Sequence, residues 1–258
     1  MMDTKIQNII ACMGKRPIVE LTAYDYPSAR ILDEAGVDIL LIGDSLGMMM
    51  LGLPDTTGVT LAHMLHHTEA VARAAKKALV VADLPIHTYD TPEQAVQSAR
   101  ALTAAGAEAV KLEGGVDKEA QIRAIVQAGI PVQAHIGLLP QHIKEDGGYR
   151  MRGNTVADAA ALMADLEAVA RAGAFSVVIE CTQSAVAAQL TAASPIITIG
   201  IGAGHGTCHG EVQVFHDLVG GFPWFVPRFA APGAHIAEDI ARAAQSWAAT
   251  LRLPESRS

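Results

Sequence analysis

Short apolar runs recur along the whole chain, and each is followed by a polar or glycine-rich patch. They are IVELTAY from Ile18, VDILLIGD from Val37, ALVVADLP from Ala78 and AEAVKLEGG from Ala107. Further on come IPVQAHIGL from Ile130, FSVVIECT from Phe175, PIITIGIGAG from Pro195 and WFVPRFA from Trp224. Their β-branched content and bounding Gly or Pro residues mark strands rather than buried helix segments. Alanine-rich amphipathic stretches lie between them. SARILDEAG offers Ser28 as an N-cap and Gly36 as a C-cap. TPEQAVQSARALTAAG offers Thr91 as a cap, Pro92 at the tolerant first position and Gly106 as the stop. VADAAALMADLEAVARAG stops at Gly173, and AHIAEDIARAAQSWAATLR closes the chain. Strand then helix, repeated without an all-helical or all-strand block, predicts a parallel α/β fold. Eight units favour a closed (β/α)8 TIM barrel, with an open doubly wound sheet as the alternative. A length of 258 residues suits one such barrel, read as a single domain over 1–258.

Bulk properties remove several classes of function. Half of the residues are hydrophobic, yet no run reaches the roughly 18 apolar residues that span a membrane. The net charge is -8 and Lys and Arg do not cluster, which argues against a nucleic-acid partner. Cys12, Cys181 and Cys208 are odd in number and scattered, so neither a disulfide framework nor a paired zinc motif is expected. Reduced thiols and an N-terminus without a signal-peptide pattern predict a cytoplasmic protein.

In a barrel the reactive groups come from the C-terminal ends of the strands. Those ends carry Asp44 (IGDS), Asp83 (VADLP), Lys111 and Glu113 (VKLEGG), His135 (QAHIG) and Glu180 (VIECT). Singly, each has a plain reading: a helix cap, an inward Lys–Glu ion pair, a satisfied core histidine. Together they place four carboxylates, a lysine and a histidine on one face, and charged groups are seldom buried without a partner. Hard oxygen donors without paired Cys or His favour Mg²⁺, bound above all by Asp44 and Asp83. Such an ion polarises the carbonyl of a 2-oxo acid and stabilises its enolate. Glu180 would then take the proton from the adjacent carbon, and Lys111 would neutralise negative charge.

Weaker signals remain. His63, His66 and His67 could share a helix face and hold zinc, though an exposed helix face is the simpler reading. GIGAG from Gly200 lacks the lysine of a P-loop and reads as close backbone approach at a strand exit. Cys208 and His209 read as structural, and Met48, Met49 and Met50 as apolar packing over the site mouth.

The segments LTAYDYPSARILDEAGVDILLIGDSLGMMMLG, HTEAVARAAKKALVVADLP, GAEAVKLEGG, PVQAHIGLLPQ, GAFSVVIECT and TIGIGAG closely resemble the ketopantoate hydroxymethyltransferase family, in order from about Ile18 to Phe229. The resemblance implies a Mg²⁺-dependent barrel related to phosphoenolpyruvate mutase and isocitrate lyase. It implies transfer of a hydroxymethyl group from the co-substrate 5,10-methylenetetrahydrofolate to 3-methyl-2-oxobutanoate, a step of pantothenate synthesis. It also implies a homo-oligomer, often a decamer of two pentamers. Carried over by position, Asp44 and Asp83 match direct metal ligands and Glu113 an acidic residue of the metal shell. Asp44, Ser45, Asp83 and Lys111 match oxo-acid contacts, His135 a histidine lining the site, and Glu180 the proton acceptor.

The rim departs from the family pattern. GLPDTTGVT stands where the family has GYDTTLPVT; Leu139 replaces a Thr; His209 and Glu211 replace an Asp and a Gln; Phe225-Val226-Pro227-Arg228-Phe229 replaces FVKRY. A Mg²⁺-dependent carbon–carbon lyase or aldolase on another 2-oxo acid is therefore the alternative. A non-catalytic relative is disfavoured by the retained Asp44, Asp83 and Glu180.

Overall fold

A computed structural model describes residues 4–145, 147–227 and 229–252. Eight parallel strands close into a barrel in sequence order. They are β1 (Ile18–Thr22), β2 (Ile39–Ile42), β3 (Leu79–Asp83), β4 (Ala109–Glu113), β5 (Val132–Gly137), β6 (Ser176–Glu180), β7 (Ile197–Ile201) and β8 (Gly210–Gln213). The helices are α1 (Thr4–Ile10), α2 (Tyr26–Glu34), α3 (Leu46–Met49), α4 (Leu61–Ala74) and α5 (Pro92–Ala104). After them come α6 (Glu119–Gln127), α7 (Val156–Ala172), α8 (Ser184–Ala193), α9 (Phe215–Val219) and α10 (Ile236–Arg252). Two compact units result, Met1–Val212 and Gln213–Ser258. The second unit holds α9 and α10, and α10 buries none of its residues.

Seven of the eight expected strands form where the apolar runs predict them. The eighth differs: the segment from Trp224 forms turns and irregular chain, and the closing strand is GEVQ at Gly210–Gln213. Physical reasons are plain. Pro227 has no N–H for a ladder, and Trp224 is 82% exposed. Gly210, by contrast, lets the backbone of β8 approach β1 closely; a Cβ there would stand 2.4 Å from the Ile18 carbonyl oxygen. Arg228 of this segment lies outside the described residues.

Helix boundaries follow local chemistry. Thr91 caps α5 by accepting from Gln94 N, with Pro92 in its first turn, and Gly173 ends α7 in the left-handed region. For α2 the cap is Asp25 rather than Ser28: the Asp25 carboxylate accepts from Ser28 N, so Ser28 lies inside the first turn. Its C-cap is Ala35, with Gly36 one residue beyond at positive φ.

Two layers fill the barrel. At the N-terminal end Ile18, Ile39, Leu79, Ala109 and Ile197 open their strands and pack with Ile6 and Ile9 of α1, which plugs that end. Each such buried isoleucine contributes about 1.5–3 kcal/mol. Lys5 ties α1 to the wall through Glu108 at 2.8 Å and the Ala78 carbonyl at 2.9 Å. Above this apolar layer the register lines up Asp83, Lys111, Gln133 and Ser176 as successive partners across β3 to β6. One step further, Glu113 on β4 is the partner of His135 on β5. Polar side chains thus gather toward the C-terminal ends of the strands.

Candidate active site

The strand period of two turns Lys111 and Glu113 to the same side, and the parallel register brings their neighbours beside them. Asp44, Asp83, Lys111, Glu113 and His135 are all buried, with Asp83 and Glu113 only 1% exposed. Glu180 stands at the end of β6 with its side chain 13% exposed. The six residues singled out at the strand ends therefore converge on one end of the barrel.

Lys111 pairs with Asp83 Oδ1 rather than with Glu113. The Asp44 backbone N–H donates to Asp83 Oδ2 at 3.1 Å. Burial works against the Lys111 charge, but Asp83, Glu113 and Asp44 outweigh it and hold the ammonium protonated. Burial, reinforced by the Asp83 and Glu113 carboxylates, pushes the Asp44 carboxyl well above its usual range. Between Glu113 and Glu180 sits the His135 ring, with Nδ1 3.5 Å from Glu113 Oε1 and Nε2 3.2 Å from Glu180 Oε2. Burial and Lys111 lower the basicity of this imidazole, yet the two flanking carboxylates win and raise it to about 9. The His135 ring thus stands between two acids, whose carboxylates favour its protonated form.

Gln141 is the residue that sequence reasoning missed. Its side-chain amide donates to Asp44 Oδ2 at 2.8 Å and to the Leu84 carbonyl at 3.1 Å, while its backbone N–H donates to Glu113 Oε2 at 3.0 Å. Tyr89 donates to Gln141 Oε1 from the other side. One glutamine thus connects two of the expected acidic ligands. The only signal in the sequence is its place in HIGLLPQ, just past a strand end. The Ser45 hydroxyl lies 2.7 Å from the Tyr24 hydroxyl. Over the rim, Lys144 of the loop after β5 reaches Asp55 at 2.9 Å and Thr57 at 2.8 Å in the loop after β2.

His63 and His67 of α4 are occupied locally, and His66 stacks edge-on against His67. His63 Nδ1 accepts from Thr60 N in a capping box, and His67 Nδ1 lies 2.6 Å from the Tyr24 carbonyl. His209 Nδ1 faces Thr198 N and Oγ1, both at 3.1 Å, which is a structural contact between the ends of β7 and β8. Among the described residues no three His, Cys, Asp or Glu groups gather tightly enough to enclose an ion by themselves. Four carboxylates gathered around one lysine and one histidine, with Asp44 pushed upward by burial and by Asp83 and Glu113, still suit a divalent ion. Mg²⁺ takes one or two carboxylates and keeps water in its other positions.

The architecture is shared with enzymes of the phosphoenolpyruvate mutase and isocitrate lyase group. A phosphoenolpyruvate phosphomutase from Streptomyces platensis matches with a TM-score of 0.66 and 18% identity, over 96% of this chain and 87% of that one. A 2,3-dimethylmalate lyase described as a member of that superfamily matches with a TM-score of 0.61 and 19% identity, over 100% and 93%. At this identity the likeness concerns the fold. Sequence narrows it much further. The model of the ketopantoate hydroxymethyltransferase family matches residues 3–254. The 3-methyl-2-oxobutanoate hydroxymethyltransferase of Pyrobaculum aerophilum is 50% identical over 91% of this chain and 89% of its own length. That of Chloroflexus aurantiacus is 51% identical over 93% and 84%. The chain belongs to the ketopantoate hydroxymethyltransferase family, and it is a hydroxymethyltransferase.

Proposed function

We propose that the enzyme transfers the one-carbon unit of 5,10-methylenetetrahydrofolate to 3-methyl-2-oxobutanoate, with Mg²⁺ at Asp44 and Asp83 and Glu113 behind them. The observation that carries the substrate assignment is the identity of about one half, over nine-tenths of the chain, to relatives that bear this name. A bound Mg²⁺ would supply Lewis-acid polarisation of the oxo-acid carbonyl. The chain's own residues do the rest. Lys111, kept cationic by Asp83, faces the negative charge of the oxo acid. Glu180 accepts the C3 proton, and His135, 3.2 Å away, orients that carboxylate. Water releases the one-carbon unit at the formaldehyde level as both of its C–N bonds to the folate break and tetrahydrofolate leaves; the deprotonated C3 attacks that carbon, and the resulting alkoxide takes back the proton held by Glu180. Ser45 and His135 line the oxo-acid side of the site.

A homo-oligomer in the cytoplasm belongs to the same proposal and rests on the likeness to the family. Among the described residues no helix is long and apolar enough to cross a membrane.

The test is proton exchange at C3 of 3-methyl-2-oxobutanoate in D2O, followed by NMR with Mg²⁺. Exchange should appear with Mg²⁺, vanish with a chelator and return on adding the ion. Absence of exchange above background would sink the enolisation step for this substrate. Exchange without product on adding methylenetetrahydrofolate would overturn the donor and favour a lyase.

A further inference from the structure

Glu20 on β1 and Gln133 on β5 lie inside the barrel and are 1% and 0% exposed. Gln133 Nε2 donates to Glu20 Oε2 at 3.0 Å across the interior. Barrel interiors are ordinarily filled by branched apolar side chains, and burying an acid and an amide costs hydration that leucine or methionine would not forfeit. The contact does not satisfy the pair. Among the described residues, the buried atoms Glu20 Oε1, Gln133 Oε1 and Ser176 Oγ have no hydrogen-bond partner. Their placement adjoins the reactive centre: Gln133 is the register partner of Lys111 on one side and of Ser176 on the other. Lys111, Asp83 and His135 are the charged groups that bear on Glu20. An ammonium has three donors, and the Lys111 side chain directs one to Asp83. Two acceptors and a hydroxyl, on residues joined by one hydrogen bond and one register step, are the kind of partners that a buried water requires.

We propose that Glu20 and Gln133 are positioning residues for Lys111, acting through an internal water held by Glu20 Oε1, Gln133 Oε1 and Ser176 Oγ. The pair and its water form the polar wall against which the lysine stem packs, so that its ammonium stays on Asp83. The inference rests on the reading of Lys111 as an oxo-acid contact.

Crystal structures of the full chain, at a resolution that shows ordered water, test it together with C3 exchange kinetics. The unsubstituted protein should show one water bonded to those three oxygens. Gln133→Met should lose it and move Lys111 Nζ off Asp83. It should also lower kcat for exchange about tenfold, since a displacement of about 1 Å is costly to catalysis, with KM within about twofold. Glu20→Met should behave alike, and the conservative Glu20→Gln should recover most of the lost rate. Ser176→Ala, a minimal change, keeps the test open should Gln133→Met fail to fold; it should weaken the water density and lower kcat in the same direction. No water in the unsubstituted protein, or an unmoved Lys111 with full kcat in Gln133→Met, would overturn the inference. Water density and lysine position are read without turnover. An inactive unsubstituted protein would therefore count against the proposed function, and these two readings would still decide the role of the pair.

Discussion

Glu180 owes its assignment to its company. It ends β6, keeps contact with solvent and faces the His135 ring at 3.2 Å, whereas Asp44, Asp83 and Glu113 are more deeply buried and are engaged by Lys111 and Gln141. The three buried acids are committed to Lys111, to Gln141 and to the proposed metal, which leaves Glu180 for the proton. Glu180→Gln should leave Mg²⁺ affinity unchanged by titration calorimetry and lower C3 exchange by about 10²–10⁴. Exchange at the unsubstituted rate would remove Glu180 from the role. At this scale the strand-end residues were legible because apolar runs with a polar terminus announce them. Gln141 was not. Its partners Asp44, Leu84, Tyr89 and Glu113 lie on other strands and loops, and no spacing along the chain encodes contacts that barrel closure creates. The same holds for Lys111, whose near neighbour Glu113 suggested an ion pair that Asp83 takes instead.

Among the elements, α2 shows how one side chain joins a helix to a strand entry. Asp33 accepts the backbone N–H groups of Lys76, Lys77 and Ala78 at 3.1, 2.8 and 2.8 Å, which fixes the chain as it leaves α4 for β3. Burial pushes the Asp33 carboxyl up, but the three N–H donors outweigh it and hold it below its usual range. A depressed carboxyl stabilises the fold above the unfolded pKa of about 3.9, and that contribution is lost as the pH falls through the folded value. Asp33→Ala should cost about 2–3 kcal/mol in urea unfolding at neutral pH. Its loss of stability on acidification should be shallower than that of the unsubstituted protein. An unchanged acid limb would deny Asp33 this role. Caps such as Thr91 and stops such as Gly173 were readable because their partners lie within one turn. Ser28 was not, because Asp25 starts the helix three residues earlier by accepting from the Ser28 amide, which puts Ser28 inside the first turn.

Closure of the barrel is decided at Gly210. Its Cβ-free backbone lies against β1, and an added methyl would stand 2.4 Å from the Ile18 carbonyl oxygen and 2.7 Å from Ile18 Cβ. Gly210→Ala should destabilise by about 1–3 kcal/mol through overpacking and lower the melting temperature measurably. A melting temperature equal to that of the unsubstituted protein would show that β8 has room to retreat. The sequence by itself determined seven of the eight strands and the helices between them, the parallel class and the set of acids, lysine and histidine at the strand ends, because hydrophobic periodicity and caps act over a few residues. Only the tertiary structure decided that β8 is GEVQ rather than the segment at Trp224, that Lys111 belongs to Asp83, and that Gln141 and the Glu20–Gln133 pair complete the interior. Those outcomes depend on which strands become neighbours or face each other across the barrel, and on how closely their backbones approach, quantities that exist only once the sheet has closed.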